Sequence, residues 1–169
     1  MLDVIKSRYS CRSFSDKVVE MEKIHEIINA GLHAPSGKGN QDTVIIAITD
    51  KEKRDKYVKL NAKVLGIEMD TFYNAPVIIV VLSKNHHFAK YDGSAALENM
   101  LLEAKNQGLD TCWIFRAEEV CQMDECQELF KETGLNLKEY VGISNIALGY
   151  ANKVVERKKK IDDGRYFII

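Results

Sequence analysis

Positions 7–14 read Ser-Arg-Tyr-Ser-Cys-Arg-Ser-Phe, a composition that is typical of anion-binding segments. Arg8 and Arg12 each offer a planar set of donors that stays protonated, and the serines add hydroxyl donors around them. Such a set could hold a phosphate group. Arginine and serine are also common at exposed helix ends, so the segment taken alone fits a structural role equally well.

A second candidate is the loop Ala-Pro-Ser-Gly-Lys-Gly-Asn-Gln at positions 34–41. Its glycines permit backbone conformations that other residues avoid, so the loop could lie close against a ligand. The glycine spacing matches neither the GxxxxGK[ST] phosphate loop nor the GxGxxG dinucleotide pattern. A P-loop nucleoside triphosphatase and a Rossmann enzyme are therefore disfavoured, and an ordinary helix-to-strand connection stays open.

Positive charge is concentrated near the end of the chain, at Lys153, Arg157, Lys158, Lys159 and Lys160. This cluster is either a solvated basic arm or part of an anion site. The whole chain has 24 Lys and Arg against 25 Asp and Glu, a formal net charge of −1. Since that balance creates no long-range field for a polyanion, we expect no nucleic-acid partner.

The cysteines contain no CxxC pair and are too sparse for a disulfide scaffold, so we expect reduced thiols. They are Cys11, Cys112, Cys121 and Cys126. A zinc site would have to combine the last two with His86 and His87 from a distant segment, which their spacing does not favour, so we expect no metal.

The N-terminus lacks a secretory pattern, and the apolar runs at 43–48 and 77–82 are far shorter than the ~18 residues of a membrane helix. We therefore expect a cytoplasmic protein without a membrane partner.

The elements that must position these residues follow from hydrophobic periodicity and from turn residues. The patterns predict helices over 20–32, 51–65, 92–107 and 124–133, and strands over 43–49, 77–82, 109–115 and 141–148. Asp50 can cap the second helix, and Gly66 and Gly108 can end helices. With 169 residues, against a prior of about 150 per domain, we expect a single domain over 1–169, of the α/β or α+β class.

The predicted helix over 92–107 carries an apolar surface that is wider than one side of a small monomer would cover. This width predicts a homodimer.

Four parts of the sequence, in order along the chain, resemble the nitroreductase family of flavoproteins. Positions 8–14 are similar to the family signature Arg-Arg-Ser-x-Arg-x-Phe. The others are Ala-Pro-Ser-Gly at 34–37 with Asn-Gln at 40–41, the stretch 98–114, and Ile-Ala-Leu-Gly-Tyr at 146–150 followed by the basic tail. The resemblance implies an α+β fold, with a central, mainly antiparallel sheet flanked by helices, in a homodimer that binds two FMN molecules at the subunit interface.

The resemblance also implies which residues bind FMN. They are Arg8, Tyr9, Ser10, Arg12, Pro35, Ser36, Gly37, Asn40, Gln41, Trp113, Ile114, Phe115, Gly149, Arg157 and Lys158. The arginines and Ser10 would hold the phosphate, the ribityl chain and the pyrimidine edge, while positions 35–37 would approach from the partner subunit. The backbone of 113–115 would pass the flavin N5. Gly149 and either Arg157 or Lys158 would complete the phosphate site.

The activity implied by the resemblance is an FMN-dependent oxidoreductase. NADH or NADPH would donate a hydride through the flavin N5, leave, and be replaced by a nitroaromatic, a quinone or a similar small acceptor in a ping-pong sequence. The flavin performs this chemistry, so no side chain is assigned as acid, base or nucleophile. A family member with different flavin chemistry and a non-catalytic flavin-binding or storage protein stay open as alternatives.

Three departures from the family pattern lie near the expected flavin. Asp42 and Thr43 stand where many relatives have Pro-Trp, and Gly39 stands where an Asn is frequent. Phe115 replaces a frequent glycine, so its ring could narrow the space for the nicotinamide and the acceptor. That ring predicts an unusual choice of acceptor. The segment 57–73 is also short, which predicts a comparatively open or differently lidded pocket.

Overall fold

The computed structural model describes residues 2–153 and 164–169, and its centre is a four-stranded sheet. The helices are α1 Leu2–Ser7, α2 Met21–Leu32, α3 Lys51–Leu65, α4 Ala89–Asn106, α5 Ala117–Cys121 and α6 Asp124–Leu129. The strands are β1 Thr43–Ile48, β2 Val77–Lys84, β3 Asp110–Ile114 and β4 Tyr140–Gly149. Every strand and every helix longer than six residues was predicted from periodicity.

The sheet has the order β1-β2-β4-β3, and each neighbouring pair is antiparallel. In register, Ile79 of β2 lies opposite Ile146 of β4, and Cys112 of β3 lies opposite Ala147. A bulge interrupts the β2–β4 pairing at Val81. The α+β class with a mainly antiparallel sheet, which the family resemblance implied, is confirmed.

Strand β2 lies at the centre of the core, because its side chains alternate between two apolar clusters. Ile78, Val80 and Leu82 pack with residues of α3, α5 and α6 on one face. Val77 and Ile79 pack with residues of α2 and α4 on the other. Burial on both faces explains why this strand reads as a continuous apolar run rather than an alternating one.

Much of the wide apolar surface of α4 is covered within one chain. Leu97, Met100 and Leu101 are buried between the sheet and α2, and Gly31 of α2 leaves room for the Met100 side chain. Ala95 and Leu102 of the same surface are only partly buried. The homodimer that this surface predicted stays a prediction.

The ends of α3 follow the predicted capping chemistry. Asp50 Oδ1 accepts a hydrogen bond of 2.9 Å from the Lys53 amide, and Gly66 ends the helix with φ at 68°. The helix predicted over 124–133 is instead α6 followed by a 3-10 turn at Lys131–Thr133, which ends at Gly134. Helices α1 and α5 were not predicted, because five or six residues carry too little periodicity.

None of the helices in the described ranges is both long and apolar enough to cross a bilayer. The same residues bring together no group of three or more metal-ligating side chains. The four cysteines are free thiols and all are buried.

Candidate functional site

Residues 8–14, here called the arginine segment, lie along the outer edge of β3. Ser10 forms a parallel bridge with Thr111, and the Cys11 amide donates to the Thr111 carbonyl at 2.8 Å. Phe14 forms an antiparallel bridge with Ala151, just after β4. The backbone of the segment is therefore fixed at both ends by the sheet.

The two guanidinium groups of this segment are weakly engaged within the described chain. Arg8 Nε lies 4.0 Å from Glu98 Oε1 of α4, and the two side chains are 25% and 49% exposed. Arg12 is exposed, and its Nη1 makes a long contact of 3.5 Å with the Ser10 carbonyl. Both arginines lower the pKa of Cys112, although burial has the larger effect and raises it. Two cations thus lie together at the β3 edge with most of their donors available.

Residues 114–116 form a turn at the end of β3, here called the β3 turn. The Ile114 carbonyl accepts hydrogen bonds from Ser144 Oγ at 2.8 Å and from Asn145 Nδ2 at 3.2 Å. The Phe115 carbonyl accepts from the same Asn145 Nδ2 at 3.0 Å and from Asn61 Nδ2 at 3.1 Å. Two consecutive carbonyls are therefore held by buried side chains.

The residues that hold the β3 turn were missed in the sequence. Asn61 and Asn145 are both fully buried. Tyr57 Oη donates to Asn145 Oδ1 at 2.7 Å, and Thr71 Oγ1 donates to Asn61 Oδ1 at 2.8 Å. The available signal was the pair Ser144-Asn145 inside an otherwise apolar strand, because a buried carboxamide needs a specific partner.

The side chains of the β3 stretch have different surroundings. Trp113 is partly buried, and its indole Nε1 is enclosed without a hydrogen-bond partner among the described residues. Ile114 is buried. The Phe115 ring is 67% exposed and lies 6.5 Å from the Trp113 ring, centroid to centroid. Phe115 is therefore not a core residue of the single chain.

The loop at 34–41, here called the glycine loop, rests on the beginning of α4. The Gly37 amide donates to Asp92 Oδ1 at 2.9 Å, and a Cβ at Gly37 would lie 2.6 Å from Cδ2 of Phe88. The Gln41 amide donates to Ser36 Oγ at 3.0 Å. The side chains of the remaining predicted loop residues, Pro35, Asn40 and Gln41, are exposed. Sequence reasoning missed Asp92, whose carboxylate is buried.

The glycine loop and Arg8 of the arginine segment contact α4 at different places. Both contact α4, but the loop does so at Asp92 and Arg8 does so near Glu98. Six residues of helix separate these positions, about 9 Å along the helix axis. One chain therefore brings the arginines to the β3 edge, while the loop contacts a different part of the molecule.

Three cases remain among the residues that the sequence predicted to bind FMN. Gly149 ends β4, where a Cβ would lie 2.7 Å from Pro76 Cδ and 3.2 Å from Phe14 Cδ1, so glycine lets the arginine segment pack there. The Tyr9 side chain is buried, with Lys105 Nζ 5.3 Å from its ring centroid. Arg157 and Lys158 lie outside the described residues.

The surroundings of Cys11, Cys112 and Cys121 favour the neutral thiol. Burial raises the pKa of Cys11, and a hydrogen bond with Cys126 together with burial raises the pKa of Cys121. Cys121 and Cys126 are therefore neighbours, as a zinc site would need, but among the described residues no histidine joins them in a metal-binding group.

Comparison with known proteins places this arrangement in one family. Residues 5–68 and 65–150 match the family model described as Nitroreductase family. A protein of Archaeoglobus fulgidus, provisionally named NADH dehydrogenase/NAD(P)H nitroreductase, is 31% identical over 157 residues, which cover 88% of this chain and 84% of that protein. A Methanothermobacter thermautotrophicus protein with the same name is 30% identical over 118 residues, 67% of this chain.

Two of these relatives are considerably longer than the part that matches. The alignment spans 59% of the Methanothermobacter thermautotrophicus protein. It spans 47% of a Bacillus subtilis protein named FMN reductase [NAD(P)H], which is 30% identical over 122 residues and 64% of this chain. Among solved structures, a Bacteroides fragilis nitroreductase with bound FMN superimposes with a TM-score of 0.86, covering 99% of this chain and 97% of its own. Its sequence identity of 24% supports the shared fold alone.

Proposed function

This chain belongs to the nitroreductase family, and from that premise we propose that it is an FMN-dependent oxidoreductase that uses NADH or NADPH to reduce small acceptors. The observation that carries the proposal is that the family match over 5–68 and 65–150 includes both the arginine segment and the β3 turn. These two regions lie along one strand, three residues apart at Thr111 and Ile114. Relatives that are at least 30% identical are named for NAD(P)H nitroreductase and FMN reductase activities.

The donors at the β3 edge fit the chemistry of FMN. A phosphate with up to two negative charges is bound best by guanidinium and hydroxyl groups, which Arg8, Arg12 and Ser10 supply. Their exposure leaves these donors accessible to a ligand. When bound, FMN supplies hydride transfer between a nicotinamide and an acceptor.

The protein residues would bind, orient and restrict access. Arg8 and Ser10 would hold the phosphate and ribityl end, and Arg12 would stabilise negative charge that develops at the pyrimidine edge on reduction. The exposed ring of Phe115 would limit which nitroaromatics or quinones can stack. The nicotinamide and the electron acceptor would occupy the same place in turn. This predicts parallel lines in double-reciprocal plots of initial velocity against nucleotide concentration, measured at several acceptor concentrations.

We also propose a homodimer in which the glycine loop of one chain completes the site of the other. Support comes from the separation, within one chain, of the glycine loop from the arginine segment along α4. Sedimentation at micromolar concentration tests the dimer. A monomer that retains tightly bound FMN would overturn it.

The cytoplasm is the compartment we propose. The four cysteines are free and buried rather than paired, which is typical of proteins from reducing compartments. Cell fractionation with immunodetection of the chain tests this assignment.

An absorbance spectrum of the protein after gel filtration tests the cofactor, because retained FMN gives flavin bands in the visible blue. Anaerobic addition of NADH or NADPH should then bleach these bands, and menadione or a nitroarene should restore them. The second candidate function, flavin storage, is favoured by the exposed Phe115 ring beside the expected flavin position. Flavin that is retained but stays oxidised with both nucleotides would support storage instead.

A further inference from the structure

We propose that Asn61, Ser144 and Asn145 are positioning residues that aim two consecutive backbone amides of the β3 turn at the flavin ring. These three residues are here called the carboxamide clamp. The inference rests on the proposed function, because the ring that the amides face is that of FMN. None of the three side chains needs to touch the flavin.

The fold brings the clamp together from two elements. Asn145 of β4 lies opposite Ile114 of β3 in the antiparallel register, with Ser144 next to it. Asn61 lies on α3, one helical turn after Tyr57, so both project from the same side of that helix. Helix α3 therefore adds its polar pair to the strand pair at the point where β3 ends.

The orientation of each carboxamide is determined by its other partners. Tyr57 Oη donates to Asn145 Oδ1, and burial raises the pKa of Tyr57, so the hydroxyl stays protonated. Asn61 Oδ1 accepts from Thr71 Oγ1 and from Arg116 Nε, the latter at 3.1 Å. With both oxygens occupied by donors, both Nδ2 groups are left to donate to the turn carbonyls.

Fixing the carbonyls also fixes the amides. In a trans peptide the carbonyl and the following N–H point in opposite directions, and no peptide bond within the described ranges is cis. Because the Ile114 and Phe115 carbonyls face the buried clamp, the amides of Phe115 and Arg116 point away from it. The turn thus presents two neighbouring backbone donors.

The turn adopts a conformation that its residues do not favour. Arg116 has φ at 75° and ψ at 13°, in the left-handed region that non-glycine residues seldom occupy. The clamp and the Asn61–Arg116 hydrogen bond hold it there. Strained backbone that is held by buried polar groups is typical of functional sites.

The clamp should influence both the affinity and the reduction potential of the flavin. Reduction adds a hydrogen at the flavin N5 and negative charge near N1, so donors held at one edge of the ring interact differently with the oxidised and the reduced flavin. Loss of one hydrogen bond to the ring corresponds to about a 2- to 12-fold weaker affinity.

The test uses two variants. Asn145→Ser removes the Nδ2 donor that the Ile114 and Phe115 carbonyls share, and Tyr57→Phe removes only the hydroxyl that orients Asn145. Gln127→Leu is the matched control, because the Gln127 carboxamide also holds a backbone carbonyl, that of Leu135 at 2.9 Å, which is not part of the β3 turn. For each variant the measurements are the melting temperature without flavin, the dissociation constants of FMN and riboflavin, and the midpoint potential of the bound FMN.

We expect Asn145→Ser to weaken the binding of FMN and of riboflavin by the same factor and to shift the midpoint potential of the bound FMN away from the wild-type value. Tyr57→Phe should shift the same quantities less. Gln127→Leu should lower only the melting temperature. If Asn145→Ser does not fold, Tyr57→Phe and Asn61→Ser decide the question.

Variants that melt earlier but bind both flavins with wild-type constants and potential would overturn the positioning role and leave the proposed function intact. Wild-type protein that binds neither FMN nor riboflavin would overturn the proposed function itself, and the clamp assignment with it.

Discussion

The arginine segment and the β3 turn lie along the same strand, but their functional groups are held in opposite ways. In the arginine segment the backbone is fixed by β3, through Ser10 and Cys11, and the side chains of Arg8 and Arg12 are left to bind. In the β3 turn the side chains of buried neighbours fix the carbonyls, and the backbone amides are left to bind. The arginine segment therefore offers positive charge, and the β3 turn offers backbone amides in a fixed orientation.

This difference matters for recognition. A phosphate is recognised by charge, which the two guanidinium groups would supply with sensitivity to salt. A flavin ring accepts hydrogen bonds at defined edge atoms, so its donors need a fixed position more than they need charge. Variants in the two regions should consequently differ in their ligand preference.

The largest effect is expected from the arginines. Arg8→Ala or Arg12→Ala should weaken FMN binding by about 2–4 kcal/mol, since each removes a charge-assisted contact to a partly buried anion. Riboflavin should be far less affected by whichever change removes the phosphate contact, and the loss for FMN should shrink at high salt. Titration of both ligands at two salt concentrations checks this, with Lys59→Ala on α3 as the exposed-cation control. Equal FMN affinity in all variants would remove the arginine segment from the site.

The glycine loop can be compared with the β3 turn, because the buried carboxylate of Asp92 holds the loop much as carboxamides hold the turn. Gly37→Ala places a Cβ 2.6 Å from Cδ2 of Phe88, so the loop must move, at a cost of about 1–3 kcal/mol. Urea unfolding with and without FMN measures that cost and its effect on the site. Gly39→Ala is the control, since its φ of 69° brings backbone strain with open space around the Cβ. A Gly37 variant with a smaller cost than the Gly39 variant would contradict the close packing on Phe88.

The buried cysteine thiols predict that the stability of the fold depends on pH. Burial raises the folded-state pKa of Cys11 and Cys112. A hydrogen bond with Cys126, together with burial, raises the folded-state pKa of Cys121. Above about pH 8.5 the unfolded thiols lose protons while the folded ones keep them, so stability should fall by up to about 1.4 kcal/mol per pH unit for each thiol. Below that pH their contribution should be constant.

Urea midpoints between pH 7 and 10 check the thiol prediction, with Cys121→Ala as the variant that reduces the slope. Iodoacetamide should label the native protein slowly and the urea-unfolded protein fast. Rapid labelling of the native protein at pH 8 would show that the thiols are not protected.

The smallest effect on stability is expected at Phe115, whose backbone is clamped while its ring is exposed. Phe115→Ala should change the unfolding free energy by about 0.5 kcal/mol or less, because a side chain that is 67% exposed contributes little packing. The kcat/KM for a bulky quinone should rise up to about tenfold relative to a small one, the low end of discrimination by an apolar group. An unchanged ratio would show that the ring does not gate access.

Much of the fold was predictable because its long elements carry strong periodic patterns. The β2 run and the α3 boundaries at Asp50 and Gly66 were read from residue types alone. The five-residue helix α5 was not, since it is too short to carry a periodic pattern and follows the left-handed Arg116. The sequence showed that α4 carries a wide apolar surface, but not that α2 covers much of it, because that contact depends on how the two helices pack.

The sequence by itself determined the groups whose effect does not depend on distant neighbours: the paired arginines, the glycine loop, the apolar strands and the family signature that joins them. Only the tertiary structure decided that Asn61 and Asn145, far apart in the chain, meet at two carbonyls, and that Asp92 holds the Gly37 amide. The physical reason is that charge and periodicity are properties of residue types and spacing. The direction of a buried hydrogen bond is a property of three-dimensional packing, and no local pattern in the chain records it.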